Sequence, residues 1–152
     1  MTSASFTTGR ALAYGPAWRH RAVLGDPLFW ILTSLGLIGL ALPNPAYEIA
    51  WYALLLKAFV EEFFLRYLLQ DSLLRFTSLR DRLGPVSTAN VLASLVFVCL
   101  HLFTHSLFWA LLVFFPSLVF GYAWERYGRL WVPVVLHFFY NFCLFYNDAI
   151  LG

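Results

Sequence analysis

The sequence predicts an all-α protein, a bundle of about five helices that span a lipid bilayer. Of its 152 residues, 61% are hydrophobic and only 12% are charged, whereas a soluble domain is about half apolar and about a quarter charged. The mean hydropathy is +0.73. A chain this short cannot bury so many apolar side chains inside one water-exposed globule. We therefore expect lipid to surround most of the surface.

Five apolar stretches separated by short polar breaks predict the individual spans. They cover 28–42, 47–69, 86–103, 107–124 and 130–146. The first ends at a Pro-Asn-Pro turn, which stops a helix. The first, fourth and fifth are short for a bilayer core of about 30 Å, and local thinning or burial in the bundle would accommodate that. We expect 1–27 to be a cytoplasmic N-terminal segment without a signal-peptide cleavage site, and 28–152 to be a single transmembrane domain.

The positions of the arginines predict the orientation. Three segments outside the spans are basic, and they contain Arg10, Arg19 and Arg21, then Arg75, Arg80 and Arg82, then Arg126 and Arg129. The predicted loops at 43–46 and 104–106 contain neither Lys nor Arg. With five spans, all three basic segments fall on one side, which the positive-inside rule identifies as the cytoplasm. We expect a protein of the bacterial cytoplasmic membrane with its N-terminus in the cytoplasm.

The second predicted helix contains four ionisable side chains, Lys57, Glu61, Glu62 and Arg66. Each would cost roughly 2.5–3.5 kcal/mol at the centre of a span, so such groups usually face a bundle interior and serve a function. Glu62 and Arg66 are four residues apart and can pair on one face. Glu61 lies about 140° around the axis from Arg66 and is freer to face a cavity, unless Lys57 pairs with it. The alternative is a Glu62–Arg66 pair that only fixes helix packing.

Two further helices contain polar groups that suit catalysis. His101 lies near the end of the third helix, and His137 and Asn141 lie one turn apart on one face of the fifth. A single His in an apolar helix is more often a satisfied interior residue than a catalyst. A His beside an Asn, however, can stabilise a developing oxyanion, and a suitably tuned carboxylate can act as a general base. Cys99 and Cys143 lie in apolar runs, and we expect small core residues rather than a disulfide.

Three motifs in this order resemble the CPBP family, which comprises CAAX proteases and bacteriocin-processing intramembrane endopeptidases. They are Glu-Glu-x-x-x-Arg at 61–66, Phe-x-x-x-His at 97–101 and His-x-x-x-Asn at 137–141. Each motif alone is a weak signal, but three in order on three membrane helices are specific. The resemblance covers roughly 50–146, and it implies an intramembrane endopeptidase of the glutamic type.

The resemblance also implies a role for each site residue. In the family's pattern, the first Glu and the His of the third helix activate a water. The His and Asn of the fifth helix stabilise the tetrahedral oxyanion, and the second Glu and the Arg support the site electrostatically. The residues that occupy these positions here are Glu61, Glu62, Arg66, His101, His137 and Asn141.

The sequence bears on two further features of the site, its dependence on a metal and the depth of its residues in the membrane. We expect no cofactor, because the chain lacks the His-Glu-x-x-His motif of helical zinc proteases. His101 and His105 are four residues apart, however, and could ligate a metal if the helix continued through Thr104. On the predicted spans Glu61 and His137 lie toward the cytoplasmic half, whereas His101 lies nearer the outer end.

The expected partners are the lipid bilayer and a membrane-anchored protein or peptide substrate, with no nucleic acid. The small size resembles short bacterial members that are paired with C-terminal sorting signals of the JDVT-CTERM or MYXO-CTERM type. Two other classes of function stay open. One is a non-catalytic bacteriocin immunity or assembly protein. The other is a proton-relay transport subunit, because Glu, His and Arg in membrane helices also form proton relays, although the chain shows no inverted repeat.

Overall fold

The structure, a computed structural model, describes residues 22–45 and 48–152. The arginines before residue 22 and the start of the second predicted helix at 47 lie outside the described residues. The described chain is mostly helical, which confirms the all-α prediction. The α-helices are α1 Pro27–Ser34, α2 Trp51–Glu62, α3 Asp71–Leu73, α4 Thr88–His101, α5 Leu107–Leu112, α6 Phe114–Tyr127, α7 Trp131–Phe145 and α8 Asn147–Leu151.

The first predicted helix changes its winding halfway. Asp26 caps α1 by accepting a hydrogen bond from the backbone amide of Leu28, and a proline follows it at the first helical position. Beyond Ser34 the chain tightens into 3-10 turns over Leu35–Ala41. A Cβ on Gly36 in this segment would lie 2.6 Å from Cδ1 of Tyr140 in α7. The glycine therefore permits close packing of the two helices.

The second predicted helix continues further than its apolar pattern indicates. Helix α2 passes without a break into π-helical turns over Phe63–Gln70 and then into α3. π-helical turns inside α-helices occur frequently at functional sites. Two carboxylates, Glu61 and Glu62, end α2 directly before the wider turns begin.

The third predicted helix is shorter in the structure than expected, and the fourth is divided into two. A short antiparallel hairpin of β1 Arg82–Leu83 and β2 Val86–Ser87 leads into α4. Helix α4 ends at His101, two residues before the predicted end. The fourth predicted helix consists of α5 and α6, with Val113 between them. Helix α6 stops at Gly128, whose φ of 60° gives the left-handed conformation that commonly ends helices.

Side-chain contacts between helix ends show that successive helices run antiparallel. At one end Arg126 pairs with Asp26 at 2.7 Å, and Arg82 pairs with Glu125 at 2.7 Å. At the other end Nδ2 of Asn147 donates to the carbonyl of Leu42 at 2.7 Å. We call the first the arginine end. The opposite end, formed by 42–45, 48–49, 102–106 and 146–152, contains neither Lys nor Arg.

The apolar core lies between α1, α6 and α7. Its buried members include Phe29 and Leu32 of α1, Phe120 of α6 and Leu136 of α7. Among the described residues one helix, Leu107–Tyr127, is long and apolar enough to cross a membrane. Three other apolar helices are shorter, namely Pro27–Ala41, Thr88–His101 and Trp131–Phe145. The five-span arrangement stays a prediction.

Candidate active site

His137 in α7 lies between the two adjacent carboxylates of α2. Its Nδ1 is 2.8 Å from Oε1 of Glu62, and its Nε2 is 3.5 Å from Oε2 of Glu61. The ring stacks on Phe120 at a centroid distance of 4.9 Å and meets the ring of Phe97 edge-on at 5.9 Å. An ionised carboxylate only accepts hydrogen bonds, so Glu62 accepts the Nδ1–H of His137. This bond directs Nε2 toward Glu61.

The two carboxylate oxygens of Glu61 differ in their hydrogen-bond partners. Oε1 contacts Nζ of Lys57, one turn earlier on the same face. Oε2 is buried and has no hydrogen-bond partner among the described residues, since its approach to His137 does not form a hydrogen bond. Buried polar atoms nearly always have a partner. Oε2 of Glu61 is one of the exceptions among the described residues.

Glu62 and Arg66 form the pair that their spacing predicts, and both side chains are wholly buried. Nε of Arg66 donates to Oε2 of Glu62 at 2.9 Å. The other guanidinium nitrogens donate to Oε1 of Gln70 at 3.0 Å and to Oγ of Ser117 in α6 at 2.6 Å. Both oxygens of Glu62 are thus hydrogen-bonded, one to Arg66 and one to His137.

The Glu62–Arg66 pair belongs to a longer series of buried hydrogen bonds that reaches the arginine end. Nε2 of Gln70 donates to Glu125 of α6 at 2.8 Å, and Glu125 in turn accepts from Arg82 at 2.7 Å. A branch runs from Ser117 into α4. We call the whole set the polar ladder, and it comprises Glu62, Arg66, Gln70, Ser117, Ser94, Asn90, Glu125, Ser87 and Arg82.

Sequence reasoning identified the first two members of the polar ladder and missed the others. A signal was present, because 62, 66 and 70 repeat every four residues, as do 117, 121 and 125. Such spacing places side chains on one face of a helix. Gly121, between the polar residues of α6, lets the ladder pass close to the backbone, since a Cβ there would lie 1.9 Å from Oδ1 of Asn90.

A cavity of about 660 Å³ extends from the His137 region to the opposite end of the bundle. At its inner part it is lined by Lys57, His101, His137 and Asn141. Most of the other lining side chains are apolar. Glu61 does not itself line the cavity, although Lys57 and His137, which contact it, both do.

His101 lies nearer the other site residues than the predicted spans suggest. Phe97 and His101 are one turn apart in α4, and their rings pack at a centroid distance of 4.2 Å. Phe97 also contacts His137. The charges of Lys57 and Glu61 act on this imidazole. His101 and His137 therefore border the same space, and the expected difference in depth between them does not separate them.

The arrangement of His101 and His105 differs from the one that would make a helical metal pair. Helix α4 ends at His101, and His105 lies in the turn that follows, where its Nδ1 is 2.7 Å from Oγ1 of Thr104. The backbone N–H of His105 nevertheless donates to the carbonyl of His101 at 2.9 Å, and the two imidazole rings lie 5.2 Å apart, so the absence of a metal stays a prediction. Within 22–45 and 48–152, no three His, Cys, Asp or Glu side chains form a group that could hold a metal ion.

Comparison with known families gives one match. The family model described as type II CAAX prenyl endopeptidase Rce1-like matches residues 28–143. The matched range contains all three motifs and more than half of the chain. No curated protein and no solved structure matches.

Proposed function

The chain belongs to the Rce1-like family of type II CAAX prenyl endopeptidases, and from this we propose that Glu61 is the general base of a membrane-embedded protease. Membership makes the protein a hydrolase of the protease class whose substrate is a membrane-associated protein. The proposal concerns the mechanism, the residues that perform it and the kind of substrate. The observation that carries it is the buried, unpartnered Oε2 of Glu61 beside His137.

In the proposed mechanism a water bound between Glu61 and His101 attacks the carbonyl carbon of the scissile peptide. Glu61 takes the proton of the water as the new C–O bond forms. The carbonyl oxygen becomes an oxyanion, which Nδ2 of Asn141 stabilises by donating a hydrogen bond. His137 donates a second one from Nε2 in the form in which both of its ring nitrogens are protonated. Glu61 then gives the proton to the leaving nitrogen as the C–N bond breaks. The net reaction is the addition of one water across one peptide bond. No metal takes part in the proposed mechanism.

The role proposed for Glu62 and Arg66 is positioning. Glu62 holds Nδ1 of His137 at 2.8 Å, and Arg66 holds Glu62 at 2.9 Å. A hydrogen bond at one imidazole nitrogen determines which nitrogen faces the reaction. Their burial excludes competing water, so His137 keeps one orientation throughout the reaction.

The proposed setting is a bacterial cytoplasmic membrane crossed by five spans, with the N-terminus and the arginine end in the cytoplasm. The antiparallel order of the helices and the arginines at one end support this orientation. The proposed substrates carry a C-terminal sorting signal of the JDVT-CTERM kind, which combines a short motif, a hydrophobic helix and a basic tail. Cleavage would occur near that helix, close to the C-terminus of the substrate.

The test is cleavage of such a substrate in liposomes by the wild type and by two variants. Glu61→Gln and His137→Ala are each expected to lower kcat by about 10²–10⁴-fold, the usual contribution of a general base or an oxyanion donor. Glu48→Gln, at an exposed glutamate of the opposite end, is the matched control and should cleave like the wild type. Each protein is also checked for folding by thermal unfolding.

Two outcomes would reject the proposal. Undiminished cleavage by folded Glu61→Gln would show that Glu61 is not the general base. If cleavage is absent and protection of cells from a bacteriocin survives both substitutions, an immunity protein is favoured. If proton transport survives them instead, a transport subunit is favoured. A chelator arm in the same assay decides the role of metal, because loss of cleavage that added zinc restores would contradict the metal-free mechanism.

A further inference from the structure

The two ends of the bundle differ in how they give access to the site. Between His137 and the arginine end lies the polar ladder, whose members Arg66, Gln70 and Ser117 are wholly buried. Arg66 donates to both Gln70 and Ser117, which connects the π-helical turns Phe63–Gln70 with α6. This packed network closes the site toward the arginine end.

The cavity extends in the other direction. Its lining passes from His137 to Pro43, Asn44 and His105, all of which belong to loops of the opposite end. Along its side the cavity also borders residues with exposed side chains, Leu35 of the 3-10 segment and Phe115 of α6 among them. An apolar chain in the surrounding lipid could therefore reach the inner part of the cavity from the side.

Charge identifies which compartment each end faces. The arginine end contains Arg75, Arg80, Arg82, Arg126 and Arg129, and the opposite end contains neither Lys nor Arg. Basic residues near span ends remain on the cytoplasmic side. The charged groups of the opposite end are acidic, such as Glu48 and Asp148. The opening of the cavity thus belongs to the extracytoplasmic half of the membrane.

We propose that this protease acts on the extracytoplasmic half of its substrate. The cavity takes an apolar transmembrane segment of the substrate protein from the outer leaflet, and the scissile bond lies between that segment and the outer surface. This inference rests on the proposed protease function and adds the side of the membrane from which the substrate reaches the site. A substrate modified and cleaved on the cytoplasmic surface would have no path past the polar ladder.

The test places single cysteines at matched serines of the two ends. Ser106 precedes α5 at the opposite end, and Ser78 lies in the 3-10 turn Thr77–Arg80 at the arginine end. Both are exposed. In a background without Cys99 and Cys143, intact bacterial cells are treated with a membrane-impermeant maleimide. Ser106→Cys should be labelled in intact cells, and Ser78→Cys only after the membrane is permeabilised.

A third cysteine connects the labelling to the site. His105→Cys lies on the cavity wall, outside the proposed catalytic residues. In right-side-out vesicles, adding the same reagent outside should abolish cleavage by this variant and leave the cysteine-free protein active. Blocking only from the cytoplasmic side would overturn the proposed direction of access.

The outcomes separate this inference from the proposed function. Labelling of Ser78→Cys but not Ser106→Cys in intact cells overturns the inference, whatever the activity. Labelling as expected together with absence of cleavage by a folded, cysteine-free protein would reject the protease and leave the orientation supported. Labelling as expected, with cleavage that the external reagent does not block, rejects the cavity as the substrate path.

Discussion

Replacing Arg66 by methionine removes the central donor of the polar ladder while keeping a side chain of similar length. Arg66 is wholly buried and donates to Glu62, Gln70 and Ser117 at 2.9, 3.0 and 2.6 Å. Removing one partner of a buried ion pair costs about 3–5 kcal/mol. Each neutral acceptor that loses its donor adds a desolvation cost of about 1–3 kcal/mol. We therefore expect Arg66→Met to lower the free energy of unfolding by at least 3 kcal/mol, roughly the lower bound for the charge pair alone.

The measurement is reversible unfolding in one detergent at fixed micelle concentration. Arg75→Met is the control, because that side chain is 64% exposed and lies 3.7 Å from Asp71, and exposed pairs contribute about 0–1 kcal/mol. The double variant Glu62→Gln with Arg66→Met removes both charges and should recover part of the loss, since buried pairs are often replaceable by neutral groups. A loss in Arg66→Met no larger than in Arg75→Met would refute the reasoning.

Three other substitutions have specific expected outcomes. Gly121→Ala places a Cβ 1.9 Å from Oδ1 of Asn90 and should destabilise by about 1–3 kcal/mol in the same assay, whereas Gly25→Ala, with its nearest neighbour at 3.9 Å, should not. Glu125→Gln keeps the shape but removes a charged acceptor of the ladder. If the ladder positions the site, kcat for substrate cleavage should fall at unchanged KM. A variant that loses stability but keeps the kcat of the wild type would contradict this. Burial by itself would raise the pKa of Asp26, but hydrogen bonds from an arginine, a backbone amide and a tyrosine hold it below its ordinary 3.8, so its stabilising contribution is present above that pH and lost as the pH falls further. Unfolding of Asp26→Asn measured over roughly pH 5 to 2 should show a smaller slope than the wild type, and an unchanged slope would contradict the assignment.

Local pairs were readable from the sequence. Lys57 with Glu61 and Glu62 with Arg66 are each four residues apart, so helical periodicity alone brings them together. The structure contains both contacts, although the sequence left the first one open. The bundle class was equally accessible, because composition and the length of apolar runs depend on no tertiary contact.

The polar ladder was not predicted because its bonds join distant parts of the chain. Arg66 bonds to Ser117 across 51 positions, and Gln70 bonds to Glu125 across 55. Ser and Gln side chains carry no charge, so they did not stand out among the apolar residues as Glu and Arg did. The four-residue repeats mark a polar face on each helix, but periodicity does not state which two faces meet.

Helix ends were the other feature that sequence reasoning placed poorly. The apolar run around His101 continues to Phe103, yet α4 stops two residues earlier. Hydropathy measures compatibility with lipid, and it does not register where the backbone leaves helical geometry.

The two adjacent carboxylates differ in their surroundings, and the difference supports the roles that we propose for them. Successive helical residues differ by about 100° around the axis, so Glu62 faces the polar ladder and Glu61 faces Lys57 and His137. Both oxygens of Glu62 accept a hydrogen bond from a buried donor, and protonation of Glu62 would remove the charge that pairs with Arg66. Glu61 has an unpartnered oxygen, which can take a proton from water. If the roles were reversed, Glu62→Gln would affect mainly the chemical step and Glu61→Gln mainly stability.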